Sequence, residues 1–597
     1  MFMANLTRLF LILSLWLTAS VCYGEDPSAP RKRISKTFDE WVAPVAEKAG
    51  DLIFAPGIPV KVGGTEQKIP FILLILGGTA VFLTIYLKFV NLRGFRTAFR
   101  TIRGKYTSPD APGQITHFQA LTTALSATVG LGNIGGVAIA ISLGGPGATF
   151  WMILMGFCGM TTKFAECTLG VKFRKIDSTG RAHGGAMYYL RDGLKQMGLG
   201  PVGIVLAVMF AIFVIGGAFG AGNMYQANQA FSQFDHTWLN PESAGFFGIY
   251  RKQIFGVLLA FLVGLVIIGG IVWIARVTSF LVPFMCGIYV LSALAIILSH
   301  SGEVIPAMGL IIKSAFSTAA ISGGIVGVLV QGIQRAVFSN EAGLGSAAIA
   351  HSAVKTDRPA SEGVVASLGP FVDTVIVCTF TAMVIIITGT WRVHGEINSD
   401  GVNLVKSPDA KNVLVQPLSK GQLIHSRGKK EIGEGKNAEK WVEVIGLISA
   451  DDRMEKPVKG WLPARAIDTR EGVSITSMAF ESAFSWFPDV LAVAVLLFAF
   501  STMISWSYYG EQGVIFLFRF LDDKQIRIPV LIYKVIFCFL VIVGSSASLK
   551  HILNLSDAMV FAMAIPNLIG LYLLLPVIKR ESTSYFAHVR EVDGKEK

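Results

Sequence analysis

Residues 125–147 read LSATVGLGNIGGVAIAISLGGPG, an apolar segment of membrane-spanning length broken at its middle by glycines. A continuous helix disfavours that composition, because each interior glycine weakens it relative to alanine. In lipid every freed N–H or C=O needs a partner, so an unwound turn persists only where it lines a protein cavity or holds a ligand. Half-helix ends then aim their dipoles at anionic groups, and unwound carbonyls coordinate small cations. Gly132 and Gly136 also have the small-xxx-small spacing of close helix packing. Thr128 and Asn133 add polar groups that packing does not require, which favours the broken helix.

This run is one of eleven. They fall at about 69–90, 121–143, 149–171, 202–231, 254–274, 279–298, 320–338 with a continuation to 350, 363–389, 490–509, 528–543 and 558–578. With 52% hydrophobic and only 15% charged residues, the chain reads as an all-α polytopic membrane protein. The net charge of +12 is spread over helix flanks, so it marks topology rather than a nucleic-acid surface. Five of the six cysteines lie inside apolar runs and Cys22 lies near the N-terminus, so neither a disulfide framework nor a CxxC metal site is expected.

Residues 1–24 carry Arg8, a short apolar core and small residues, the pattern of a secretory signal peptide. Residues 25–68 follow as an extracytoplasmic tail, 69–390 as spans one to eight, 391–482 as an outer insertion, 483–579 as spans nine to eleven, and 580–597 as a cytoplasmic tail. An N-terminus outside and an odd span count put the C-terminus inside, in a bacterial cytoplasmic (inner) membrane. The basic loops agree: Arg93, Arg96, Arg100, Arg103 and Lys105 follow the first span, and Lys172, Arg174, Lys175, Arg181, Arg191 and Lys195 follow the third. Within the insertion, VLVQPL, KWVEVIGLI and KGWLPARAI are β-patterned. Their order resembles a bacterial SH3-type small barrel, a module that contacts cell wall or protein; a loop with no partner fits the pattern equally.

A second break is expected in the seventh span. There Gln334, Arg335, Ser339, Asn340 and Glu341 interrupt apolar sequence ahead of Gly343 and Gly345, and AGLGS echoes the VGLGN of the second span. Two interrupted segments five spans apart are what an inverted repeat leaves behind, with spans two to six and seven to eleven as its halves and the first span outside it. In the fourth span Asn223, Gln226 and Gln229 recur every three residues, to bridge helices or to line a pocket. In the ninth, Ser501 and Thr502 offer hydroxyls one turn from Trp506, which either anchors at an interface or forms a pocket wall. Lys163, Glu166, Glu341, Asp373 and Glu511 are charges in or near the membrane; Lys163 and Glu166 are spaced to pair, and Asp373 has no evident partner. No HExxH, P-loop or GxSxG element is present, and the nine histidines form no ligand-spaced cluster, so enzyme chemistry is not expected.

The motifs ALSATVGLGNIGGVAIAISLGGPGATFWM, GMTTKFAEC, GGAMYYL, GNMYQANQ, FSNEAGLGSAAIAHSAVKTD and FAFSTMISWSYYGE together resemble the alanine or glycine:cation symporter family, the sodium:alanine symporters. The resemblance covers nearly all of 69–579 apart from 391–470. It implies a LeuT-type 5+5 inverted repeat with one extra N-terminal helix, and sodium-coupled symport of alanine, glycine or D-alanine with no other cofactor. It places the substrate carboxylate at the unwound backbone of Gly130 and Gly132, with Thr128 and Asn133 beside it and Gln226, Phe338, Thr502 and Trp506 lining the pocket. Sodium would lie between the carbonyls of Ser126 and Val129 and the hydroxyls of Ser501 and Thr502. A channel or receptor-like protein with a ligand-sensing outer domain is the alternative from another class.

Overall fold

The computed structural model describes residues 44 and 47–595, apart from 63–64, 109, 239–245, 318–323, 409, 433–438, 449–454, 470–471 and 523. The expected signal segment and the first part of the tail lie outside the described residues, as does Cys22. The tail ends in a hairpin, Gly57–Val62 paired antiparallel with Thr65–Pro70.

The described part of each of the eleven apolar runs falls mainly on helix. Among the described residues, seven helices are long and apolar enough to cross a membrane: Gly200–Asp235, Tyr250–Ile267, Gly270–Ser299, Pro359–Ile387, Phe487–Leu517, Arg527–Gly544 and His551–Leu573. The pair His117–Thr128 and Gly132–Gly144, bent by 52°, makes an eighth. The other three runs fall on Phe71–Tyr86, Ala148–Lys172 and Gly324–Asn340. The first and third have 16 and 17 residues, short of the ~20 that span a bilayer, and the second carries Lys163 and Glu166 in its interior.

Local chemistry sets where the second span begins and breaks. Thr116 caps the helix by accepting from the Gln119 amide (3.2 Å), while the Gln119 side chain accepts from the Thr116 amide (3.0 Å). Twelve residues later the helix stops, and the chain resumes through a π-helical turn over Gly132–Gly136. Similar turns occupy Gly220–Met224 and Phe371–Cys378. The seventh span breaks as expected: helix ends at Asn340 and resumes at Ala347, with Glu341, Gly343 and Gly345 at positive φ of 56°, 92° and 80°. Glycine takes such angles freely, whereas at Glu341 they are strained.

Between Gly395 and Thr469 the chain builds a seven-stranded antiparallel sheet. Its spatial order is Ile467–Thr469, Gly395–Ile397, Leu423–Ile432, Glu439–Ile448, Glu455–Pro463, Val402–Ser407 and Ala410–Leu418. Ile397, Leu404, Ile424, Val444 and Leu462 form a small core separate from that of the helices. The next helix, Val473–Glu481, leaves the sheet and closes over the broken second span, where Thr476 Oγ1 donates to the Ile134 carbonyl at 3.0 Å.

Candidate substrate and cation site

Unwinding at Val129–Leu131 takes the i+4 amide partners away from the carbonyls of Ser126 and Ala127. The Gly130 amide turns instead to the side chain of Asn133, donating to Oδ1 at 2.8 Å. The ninth span replaces what is lost: Thr502 Oγ1 donates to the Ser126 carbonyl at 3.0 Å and Trp506 Nε1 to that of Ala127 at 3.3 Å. A Cβ on Gly130 would stand 2.7 Å from Thr502 Oγ1, so glycine is what lets the two segments approach. Ser126 Oγ donates to the Ser501 carbonyl (2.6 Å) and accepts from Ser505 Oγ (3.0 Å). Of the oxygens expected for the cation, the Ser126 carbonyl and the Thr502 hydroxyl meet directly in this buried cluster, whereas the Ser501 hydroxyl donates to the Phe498 carbonyl at 3.0 Å within its own helix and only the Ser501 carbonyl reaches Ser126. Ser505 joins them, although the sequence reading did not single it out. Its signal was its place four residues after Ser501, on the same helix face.

The expected substrate-lining residues surround the same turn. Gln226 donates to the Ala221 carbonyl at 3.0 Å, and its Oε1 is buried with no partner among the described residues, 3.7 Å from where a Gly130 Cβ would lie. Phe338 closes the other side, 3.7 Å from a Cβ at Gly132 and edge-on to Tyr225. Trp506 lies so close to Gly222 that a Cβ there would overlap its ring. It is buried, not exposed at an interface. Above Phe338 the Arg335 guanidinium stands 5.9 Å from the ring centre and 3.7 Å from Asp557.

Three candidates are engaged elsewhere. Thr128 donates within its own helix, to the carbonyls of Ala124 and Leu125. Asn223 lies in the π-helical turn and donates to the Phe537 carbonyl at 2.6 Å, binding the fourth span to the tenth. Gln229 donates to Asn228. The three-residue spacing therefore does not put the amides on one face, because the π turn shifts the register between Asn223 and Gln226.

The membrane carboxylates pair differently from the sequence expectation. Asp373, for which no partner was evident, accepts from Asn133 Nδ2 (2.7 Å), Ser339 Oγ (2.8 Å) and Thr374 Oγ1 (2.7 Å). Asn133 also donates to Ser339 Oγ at 3.1 Å, so a single buried network joins the break in the second span to the end of the helix before the break in the seventh. Glu166 does not hydrogen-bond Lys163. Its Oε1 accepts from the Gly345 amide (2.9 Å) and Asn567 Nδ2 (2.6 Å), and so holds the unwound turn of the seventh span. Glu341 accepts from Ser346 Oγ. Glu511 is paired with Lys534 at 3.0 Å, and Lys534 also donates to the Ile267 carbonyl.

At the end of the bundle bearing the basic loops, Arg174 gathers the carbonyls of Pro112, Ser352, Val354 and Thr356. Beside it Glu362 accepts from both His117 and His351. A cavity of about 300 Å³ opens nearby among Gln114, Arg181, His183, Tyr508, Glu511 and Lys534. His183 bridges Gln512 and Asp177, each at 3.1 Å. Burial opposes ionisation of Asp177, but hydrogen bonds from Thr179, the Arg181 amide and His183 prevail and hold its pKa down at about 2.

A helical membrane protein whose polar centre lies where two spans unwind against each other has the architecture of a secondary transporter. The sodium:alanine symporter family model matches residues 62–415 and 459–597, and the chain belongs to that family. The sodium/alanine symporter AgcS of Methanococcus maripaludis is 36% identical over 88% of this chain and 96% of its own length. The amino-acid carrier protein AlsT of Bacillus subtilis is 29% identical over 86% and 89%, and that organism's probable sodium/glutamine symporter GlnT 27% identical over 86% of each. These relatives are transporters and not enzymes, and none is a channel or receptor. The two matched segments leave 416–458, within the insertion, between them.

Proposed function

We propose that this chain couples the uptake of small neutral amino acids, alanine or glycine (D-alanine included), to sodium entry by alternating access. The observation that carries the reading is the convergence of Gln226, Phe338, Thr502 and Trp506 on Gly130 and Gly132. The substrate carboxylate is received by the amides of Leu131 and Gly132 at the start of the second half-helix, since Asn133 already holds the Gly130 amide. The unpartnered Gln226 Oε1 accepts from the substrate ammonium, and Trp506 and Phe338 limit the side chain. Sodium takes the Ser126 and Val129 carbonyls with the Ser501 and Thr502 hydroxyls. Spans two to six and seven to eleven form the LeuT-type halves, with the first span an eleventh helix outside them. The N-terminus and the insertion face outward, and the basic loops inward.

The names of relatives include both alanine and glutamine, so the substrate is decided by this pocket rather than by membership. An inward sodium gradient across proteoliposomes should drive uptake of labelled alanine, with glycine and D-alanine competing and lysine, glutamate and tryptophan not. Uptake indifferent to sodium, or strong competition by the large side chains, would refute the reading.

A further inference from the structure

The first span and the helix that follows the last one enclose a cavity that the transport reading does not use. Phe71–Tyr86 stops at Tyr86, and Leu575–Lys595 starts directly after the span His551–Leu573. Where they meet, a cavity of about 570 Å³ is lined by Tyr86, Pro576, Lys579, Arg580, Thr583 and Ser584. A tyrosine and two cations just beyond the ends of apolar helices mark the level of the lipid headgroups.

The positive charge of this cavity is not neutralised by the protein. Acids of the C-terminal helix are paired elsewhere: Glu581 with Lys172 at 2.6 Å, and Asp593 with Lys105 and Arg100 at 2.9 and 3.0 Å. Among the described residues neither Lys579 nor Arg580 is paired with a carboxylate. Lys579 Nζ stands 5.3 Å from the centre of the Tyr86 ring, whose face holds the ammonium at the cavity. Thr583 and Ser584 follow the two cations by one turn, so all four side chains share one side of the helix. Thr583 Oγ1 donates to the Lys579 carbonyl at 2.9 Å, which leaves Ser584 to donate to an anion. Toward the membrane the surface turns apolar: Phe82, Ile85 and Tyr572 are exposed, and the Phe82 ring lies 5.6 Å from that of Tyr86 and 5.5 Å from that of Tyr572. The strip therefore runs from the cavity along the seam between the first and last spans.

We propose that this cavity is a binding site for one anionic phospholipid, with its phosphate on Lys579 and Arg580 and an acyl chain along Phe82, Ile85 and Tyr572. Basic pockets between helices at the membrane surface suit such headgroups. A soluble phosphate would satisfy the two cations and leave the apolar strip uncovered, whereas a phospholipid meets both. A zwitterionic lipid brings its own ammonium against Lys579 and Arg580, so net negative charge is what the site selects. Bound there, the lipid fastens the first span to the last, beside the one direct hydrogen bond between Thr79 and Tyr572 at 3.1 Å. The site lies on the side of the membrane that bears the basic loops, and it depends on neither the substrate nor the coupling ion.

The test adds phosphatidylglycerol or phosphatidylcholine to the purified full chain in detergent and counts retained lipid by native mass spectrometry, with no transport step. One phosphatidylglycerol per chain is expected, and phosphatidylcholine retained equally well overturns the proposal. Each cation contributes roughly fivefold, so the double variant Lys579→Gln/Arg580→Gln should bind phosphatidylglycerol about 30-fold more weakly. Arg96→Gln/Arg103→Gln removes the same charge from the basic loop outside the cavity and should retain the lipid as the unmutated chain does. Equal loss in the two double variants would assign retention to diffuse attraction and overturn the proposal. Inorganic phosphate should displace the lipid no more than chloride does at equal ionic strength; greater displacement would make this a free-phosphate site and overturn the lipid assignment. If Lys579→Gln/Arg580→Gln does not fold, the comparison of the two lipids on the unmutated chain decides alone.

Discussion

Replacing Thr502 with valine keeps the volume of the side chain and removes one oxygen from the place where the proposed cation and the broken helix meet. Without sodium the cost is the neutral hydrogen bond from Thr502 Oγ1 to the Ser126 carbonyl, roughly 0.5–1.5 kcal/mol. With sodium bound, the same oxygen faces a full charge, and its loss costs roughly 1.5–3 kcal/mol. The difference weakens sodium binding by about 1–2 kcal/mol, roughly 5–30-fold. The Ser126 carbonyl has no helical amide to return to, because the Gly130 amide belongs to Asn133, so the helix cannot rewind to hide the loss. Sodium titration of alanine uptake in proteoliposomes reads the shift. Thr502→Ser, which retains the hydroxyl, should restore near-normal sodium dependence. If Thr502→Val is folded and its half-maximal sodium lies within twofold of the unmutated protein's, the cation is not at this cluster and the argument from Ser126, Ser501 and Thr502 fails.

Gly222→Ala should lower alanine affinity at least tenfold by pushing Trp506 toward Gly130, whereas Trp506→Ala should admit larger neutral amino acids; competition profiles of the two variants compare directly. Asn133→Ala leaves the Gly130 amide and one Asp373 oxygen short of a partner, at about 1–3 kcal/mol each, and thermal unfolding in detergent should register it more strongly than Ser505→Ala. Ser399→Cys, in the exposed turn between Gly395–Ile397 and Val402–Ser407, should react with a membrane-impermeant thiol reagent applied to intact cells, and Arg103→Cys should not; the opposite pattern would invert the proposed topology. Asp177 ionises at about 2 when folded against about 4 when unfolded, so its contribution to the hairpin it anchors is complete above about pH 4 and fades as pH falls through 2. Proteolysis of that loop in detergent should therefore not change between pH 8 and pH 5.

Apolar runs and glycine breaks were legible in the sequence because the bilayer acts on each segment separately: a span must be long and apolar, and an unwound turn must be small and polar, whatever its neighbours are. That is why both breaks could be read from the sequence. Partners could not. Asp373 meets Asn133 across 240 residues and Glu362 meets His117 across 245, and neither separation leaves a periodic trace. Lys163 and Glu166 stand one turn apart, the spacing of an ion pair, yet Glu166 turns to the Gly345 amide and Asn567, because a broken helix offers a buried carboxylate donors that local spacing does not show. Asn223 and Gln226 share a face only on an ideal α-helix, and the π turn at Gly220–Met224 sends one to the tenth span and the other to the pocket. Sequence alone determined where the chain is apolar over long segments and where it cannot stay helical. Tertiary structure decided which buried polar group satisfies which, since in a medium without water that choice depends on what the fold brings within three ångströms.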